Sequence, residues 1–258
     1  VRLVDTHTHL DFPSFDSDRA SLLAHAQARG VERAVVLGVY QANWQRVWGL
    51  ALEDARLYAA LGLHPVYLAD HRPEHLRALH HWLERLAGHP KLCALGEFGL
   101  DYYVKDLDRD AQQALFEAQL ALAAEFDLPV LLHVRHAHAA TIATLKRYKL
   151  ARRGIIHAFA GSYEEAREYI KLGFYLGLGG APTWPQALRL HKVLPRLPLE
   201  HVVLETDSPD MAPAMYPGMR NSPVHLPEIC QALAGLMAVD PAELARVSTQ
   251  NAEALFGW

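Results

Sequence analysis

The sequence predicts an α/β fold, a (β/α)8 TIM-type barrel, on three observations. Eight short apolar runs alternate with eight amphipathic stretches. The runs are apolar throughout rather than alternating, as strands covered by helices on both faces must be. Histidines and carboxylates gather at the C-terminal ends of the runs, the end where a barrel places its chemistry. An open doubly wound sheet is the competing arrangement.

The runs, in order, are RLVDTH (2–7), RAVVLG (33–38), RLYAALGLH (56–64), LCALGE (92–97), PVLLHV (129–134), GIIHAF (154–159), GFYLGLG (173–179) and HVVLET (201–206). Helical patterns fall at 17–29, 43–54, 73–87, 108–126, 136–150, 162–171, 184–194 and 224–238. A last helix in DPAELARVSTQNAEALFGW is expected to cap or clasp the barrel. No linker or low-complexity tract interrupts the rhythm, so residues 1–258 are expected to form one barrel domain.

The chain has 258 residues, 51% of them hydrophobic, and a net charge of −4 from 25 basic and 29 acidic residues. That balance supports a large core and excludes a broad basic footprint of the kind that reads DNA sequence. It leaves room for a few local phosphate contacts. Cys93 and Cys230 form no C-x-x-C pair, and a reduced, cytoplasmic protein is expected. No leader pattern opens the chain at Arg2, and no apolar run nears the ~20 residues of a membrane span. The sequence sets no oligomeric state and is compatible with a monomer.

With 16 histidines in 258 residues, chance supplies about one H-x-H pair, (16/258)² over 256 windows, and two occur. Context separates them. His7 and His9 end a strand-like run, where residues i and i+2 share a face and two imidazoles can reach one cation. His136 and His138 open an Ala-rich helical pattern, where i and i+2 diverge by roughly 200°. No shared active-site metal is expected of that second pair.

The other strand ends add His64, Glu97, His133 with Arg135, His157, and Glu205 with Asp207. Burying such groups without partners is costly, and divalent cations relieve both the desolvation and the repulsion. Four histidines with two or three carboxylates exceed what one catalytic zinc needs and fit two metals about 3.5–4 Å apart. The mixed N/O donor set suits zinc, manganese or magnesium.

The segments DTHTHLDF, GLHP, GEFGLDYY, PVLLHVR, HAFAG, LETDSP and RNSP run in order from residue 5 to residue 223. Together they make the chain resemble the TatD family of metal-dependent deoxyribonucleases, within the amidohydrolase superfamily. The resemblance implies that His7 and His9 bind one metal, that His133 and His157 bind a second, and that Glu97 bridges the two. It implies that Asp207 is both a ligand and the group that takes a proton from the attacking water. It implies substrate-phosphate contacts for His64, Arg135 and Arg220. Glu205 and Asp101 are read as carboxylates that orient ligands from behind; Asp11 is a candidate on the same footing as Asp101, and either of those two could instead simply fix its loop. Tyr102 and Tyr103 could line the mouth and stack a base.

The expected function is therefore a metal-dependent hydrolase that cleaves DNA phosphodiester bonds through a metal-activated water, gripping phosphates rather than reading sequence. The alternatives are an amide or ester hydrolase, including one acting on aminoacyl-tRNA, and a metal-binding barrel without turnover. Ala158, the LGGAPTW turn and Ser222 depart from the family's usual residues on the substrate side, which bears on the choice of substrate more than on hydrolysis.

Overall fold

A computed structural model describes Val1–Trp258. Its eight strands are β1 (Leu3–Thr8), β2 (Val31–Leu37), β3 (Leu57–Leu61), β4 (Leu92–Asp101), β5 (Val130–Arg135), β6 (Gly154–Ile156), β7 (Tyr175–Leu178) and β8 (Val202–Leu204). They pair in chain order, every pair parallel. Helices intervene: α1 (Arg19–Ala28), α2 (Gln41–Glu53), α3 (Pro73–Leu86), α4 (Arg109–Glu125), α5 (His138–Leu145), α6 (Tyr163–Lys171) and α7 (Leu188–Val193), with α8 (Leu226–Met237) and α9 (Pro241–Phe256) after β8. This is the (β/α)8 barrel. No helix is long and apolar enough to cross a membrane.

Strand periodicity divides the core. Ala34 and Val36 of β2 point outward into the large cluster beneath the helices, and Val35 and Leu37 point inward. Val4, Ala60, Cys93, Leu131, Ile155 and Val203 fill the barrel interior with them. Leu255 and Phe256 of α9 join that inner cluster, so the last helix plugs the end of the barrel opposite the catalytic mouth. On α3, Pro73 opens the helix, and Leu79, Leu83 and Leu86 bury one stripe. Burial of each such leucine is worth roughly 1.5–3 kcal/mol.

β1 and β8 close the barrel with little regular pairing. One parallel bridge, Thr8 to Ser208, is supplemented by side chains. Thr206 donates its N–H and hydroxyl to the Asp5 carboxylate at 2.9 and 2.7 Å, and Thr6 donates to the Leu204 carbonyl at 3.0 Å. The Asp207 N–H reaches the His7 carbonyl at 2.9 Å, and the His9 N–H reaches the Ser208 carbonyl at 2.7 Å.

Some element boundaries differ from those expected. β4 runs on to Asp101, because β5 pairs with it as far as Asp101 opposite Arg135. β6 stops at Ile156, since the chain turns into the left-handed region at Ala158, φ 44°. α5 covers only 138–145 of the expected 136–150, because His136 takes φ 55°. α7 covers 188–193 of the expected 184–194, after Pro182 and Pro185 hold the preceding segment out of a regular helix.

A histidine and carboxylate cluster at the barrel mouth

Two local irregularities aim the central side chains. In β4, Gly96 lies opposite Leu131 and Phe98 opposite Leu132, so Glu97 is the extra residue of a bulge. Such bulges re-aim a side chain out of the strand pattern. In β1, the four residues from Asp5 to Thr8 face three on β2, Ala34 to Val36, which bulges the strand around Thr6 and His7. Beyond β8, Asp207 takes φ 56°, a left-handed conformation that aspartate tolerates better than most residues.

Glu97 is the centre. Its Oε2 lies 3.2 Å from His7 Nε2 and 3.3 Å from His9 Nε2. Its Oε1 lies 3.1 Å from His133 Nδ1, 3.1 Å from His64 Nε2 and 3.8 Å from His157 Nε2. Asp207 divides in the same way. Its Oδ1 faces His7 and His9 at 3.6 and 3.5 Å, and its Oδ2 faces His157 at 3.6 Å. One carboxylate thus separates two sets of imidazoles, and the other faces both.

The outer ring nitrogens sort these imidazoles chemically. His133 donates Nε2–H to Asp101 Oδ2 at 2.9 Å. His9 donates Nδ1–H to the Leu37 carbonyl at 3.3 Å. His157 Nδ1 lies 2.8 Å from Glu205 Oε1, a close contact set off the axis of a linear hydrogen bond. With one ring nitrogen directed outward, each ring turns its other nitrogen toward Glu97 or Asp207. A lone pair facing a carboxylate is repulsive unless a proton or a cation sits between them.

His64 is the reverse. Its Nδ1 accepts the Val66 N–H at 3.1 Å, so its Nε2 carries hydrogen and donates toward Glu97. Proximity alone would group His64 with Glu97 and His133 as metal donors. The proton placement makes it a hydrogen-bond donor instead.

The charges agree with this sorting. Burial opposes ionisation of Glu97, but His64, His7 and the hydrogen bond from His133 hold its carboxyl well below the usual range. Burial likewise opposes ionisation of Asp207, and His157 and His9 hold it low. Burial disfavours a charged His157, yet Glu205 and Asp207 raise it to about 10. Burial pushes His64 down to about 4, against the pull of Glu97.

The donor set fits divalent cations. Two ligands at about 2.1 Å from a tetrahedral ion stand about 3.4 Å apart. The N···O separations of 3.1–3.8 Å around Glu97 and Asp207 bracket that spacing.

Helix α4 supports the site from behind. Gln119 donates to the Leu63 carbonyl at 3.1 Å and accepts its N–H at 2.8 Å. Gln112 does the same for Asp101 at 2.9 and 2.8 Å. These buried glutamines hold the backbone beside His64 and under Asp101. On the β7 side, a Cβ at Gly177 would lie 2.2 Å from Glu205 Oε2, so only glycine leaves space for that carboxylate.

A cavity of about 850 Å³ opens above the cluster. Arg135 lines it, its guanidinium 3.7 Å from the centre of the Tyr103 ring. Arg220 does not reach it. It pairs with Asp18 and lies 4.5 Å over the Phe15 ring, because the loop before it turns its side chain toward α1. The structure therefore departs from the expected phosphate contact at Arg220. Asp11 accepts from Asn43 at 2.9 Å and touches none of the imidazoles through a hydrogen bond. His136 and His138 make no hydrogen bond or ion pair with Glu97 or Asp207 but line the same cavity, as do Glu165 and Arg189, which the sequence did not single out.

A family profile described as "TatD related DNase" matches residues 4–257. The metal-dependent hydrolase YjjV of Escherichia coli is 39% identical over 255 residues, covering 99% of this chain and 98% of its own. The 3'-5' ssDNA/RNA exonuclease TatD of Citrobacter rodentium is 33% identical over 264 residues, covering 99% and 98%. The crystal structure of the E. coli YjjV protein superposes with a TM-score of 0.96 at 38% identity, covering 100% of this chain and 98% of the other.

Proposed function

The chain belongs to the TatD-related DNase family of metal-dependent hydrolases, and from that premise we propose that residues 1–258 act as one phosphodiesterase unit on DNA. The observation that carries this reading is the division of imidazoles around Glu97 by proton placement. The second ring nitrogens of His9, His133 and His157 face two carboxylates, while His64 directs an N–H at Glu97.

His7, His9 and Asp207 would hold one divalent ion with Glu97 Oε2, and His133 and His157 a second with Glu97 Oε1. Zinc, manganese and magnesium all suit these donors. When bound, such ions supply Lewis-acid activation of water and charge neutralisation at phosphate.

The remaining steps belong to the chain. Asp207, kept ionised by His157 and His9, accepts the proton of the attacking water. Arg135 holds non-bridging phosphate oxygens, where a guanidinium fork matches the geometry. Its stacking on Tyr103 restricts the fork before substrate arrives. His64, whose Nε2–H faces Glu97 in this structure, would turn that N–H to a phosphate oxygen when substrate binds. Glu205, Asp101 and the Leu37 carbonyl keep the ligand rings from rotating. Phosphodiester attack concentrates negative charge on oxygens, so Arg135 and His64 favour it over attack on an amide. The two free, buried cysteines accord with a cytoplasmic setting.

The test is a metal-supplemented assay of 5′- and 3′-labelled oligonucleotides beside ester and amide panels, with Asp207→Asn as the control. Cleavage of DNA that Asp207→Asn abolishes supports the proposal. Efficient turnover of neutral esters or amides with DNA untouched overturns it.

A further inference from the structure

The metal-type donors occupy only one part of the 850 Å³ cavity. The start of α5, the start of α6 and α7 also line it, and the function proposed above gives those residues no role. The RHAHAA motif contributes His136 and His138 to this lining, and α7 contributes Arg189.

His138 is buried. The Tyr169 hydroxyl lies 3.0 Å from its Nδ1. Burial pushes the Tyr169 pKa far up, so that hydroxyl keeps its proton and is able to donate it to Nδ1. In that arrangement the Nε2 of His138 carries hydrogen on a ring that lines the cavity. Burial also lowers the His138 pKa, with Glu165 opposing that shift and Arg189 and His136 adding to it, so the ring is a neutral donor. Arg189 is exposed and donates to the Ala160 carbonyl. No carboxylate pairs with it, unlike Arg220. The carboxylate of this part of the lining, Glu165, has its Oε2 engaged by the Ser162 N–H at 2.7 Å in the cap of α6.

We propose that Arg189 and the Nε2–H of His138, with His136 on the rim, form a second phosphate subsite for the phosphodiester adjacent to the scissile one. This inference rests on the phosphodiesterase reading. Directed donors and one unpaired guanidinium favour an anion, and the nearby Glu165 favours a singly charged diester over a doubly charged terminal phosphate. The subsite makes the enzyme prefer strands with at least two linkages.

The experiment is a cycle of protein and substrate changes. Trinucleotides with two natural linkages are compared with trinucleotides in which either one linkage is a neutral methylphosphonate, which keeps every base. Wild type and Arg189→Ala are tested for cleavage with metal, and for equilibrium binding in EDTA without turnover. In wild type, neutralising the adjacent linkage should weaken KM and binding about tenfold, the scale of one charge-assisted contact. Arg189→Ala should weaken the natural strand equally and leave the neutralised strand unaffected, and Arg189→Lys should recover part of the loss. An equal loss on natural and neutralised strands, as a base contact or a folding defect would give, overturns the subsite, and so does no loss on either. If wild type cleaves no strand while loaded with metal, the phosphodiesterase reading fails, and the binding cycle still decides whether the subsite exists.

Discussion

Glu205 stands behind His157, its Oε1 2.8 Å from Nδ1 and on the side of the ring away from Asp207. The same oxygen accepts the Ala158 N–H at 2.7 Å, which anchors the turn where β6 ends. Glu205 therefore holds charge and backbone at a ring that it leaves free to face Glu97. Replacement by Gln keeps an acceptor for Ala158 but removes the charge. Glu205→Gln should lower metal affinity by about 10–100-fold with the fold retained. Chelator competition reads the affinity, and an unchanged value would show that Glu205 does not tune the ring.

Glu97 touches both sets of imidazoles, so its loss should be felt twice. Glu97→Ala should reduce bound metal below the wild-type content and depress activity with it. Elemental analysis of both proteins is the measurement. One ion per chain in fully active wild type would count against a bridging role.

The raised pKa of His157 makes metal capture proton-linked. Below about 10 this imidazole is protonated in the cation-free protein, and a ligand must be neutral. Metal affinity should therefore rise with pH up to about 10, and binding at pH 7.5 should release at least one proton. Calorimetry in buffers of different ionisation enthalpy counts the protons, and zero release would refute the assignment. The linkage to folding has the opposite sign. A histidine whose folded pKa is raised stabilises the cation-free fold below its unfolded value near 6.5, and that contribution is lost as pH rises through about 10.

Gly177 is a packing requirement of the site. An alanine there would drive its Cβ into Glu205, 2.2 Å from Oε2 and 2.8 Å from Cδ. Gly177→Ala should cost about 1–3 kcal/mol of stability and weaken metal binding together. Denaturant titration beside metal titration tests the pairing. A variant that loses neither would mean that Glu205 moves freely.

The two arginines should behave differently. Arg135→Ala should slow oligonucleotide cleavage by roughly 10²–10³ with metal content intact, as loss of a preorganised charge contact does. Arg220→Ala should change cleavage little, because its guanidinium is committed to Asp18 and Phe15. Strong loss at Arg220 with Arg135 dispensable would reverse the assignment.

The barrel was legible in the sequence because each strand is apolar on both faces and the alternation repeats eight times. The mouth was legible because His7, His9, Glu97, His133, His157 and Asp207 stand at or just beyond strand ends, where burial needs a chemical reason. Other features carry no such mark. The bulge that frees Glu97 depends on pairing with β5, which no local pattern encodes. Gln112 and Gln119 look like solvent-facing residues on α4, and only tertiary contact with Asp101 and Leu63 buries them. The position of Arg220 beside Asp18 was not legible either, because the course of its loop toward α1 is likewise set by packing. His138 meets Tyr169, 31 residues later, and nothing in its sequence neighbourhood announces that partner.

The β1–β8 seam also governs when the site can exist. Asp5 is satisfied by Thr206, 201 positions away, and His7 by the backbone of Asp207. A nascent chain emerging from the ribosome carries His7, His9 and Glu97 early but lacks the strand that closes around them. The histidine-rich mouth is completed only when the segment beyond Asp207 clears the exit tunnel. A chain ending before Asp207 keeps His7, His9 and Glu97 but lacks the carboxylate that faces both sets of imidazoles.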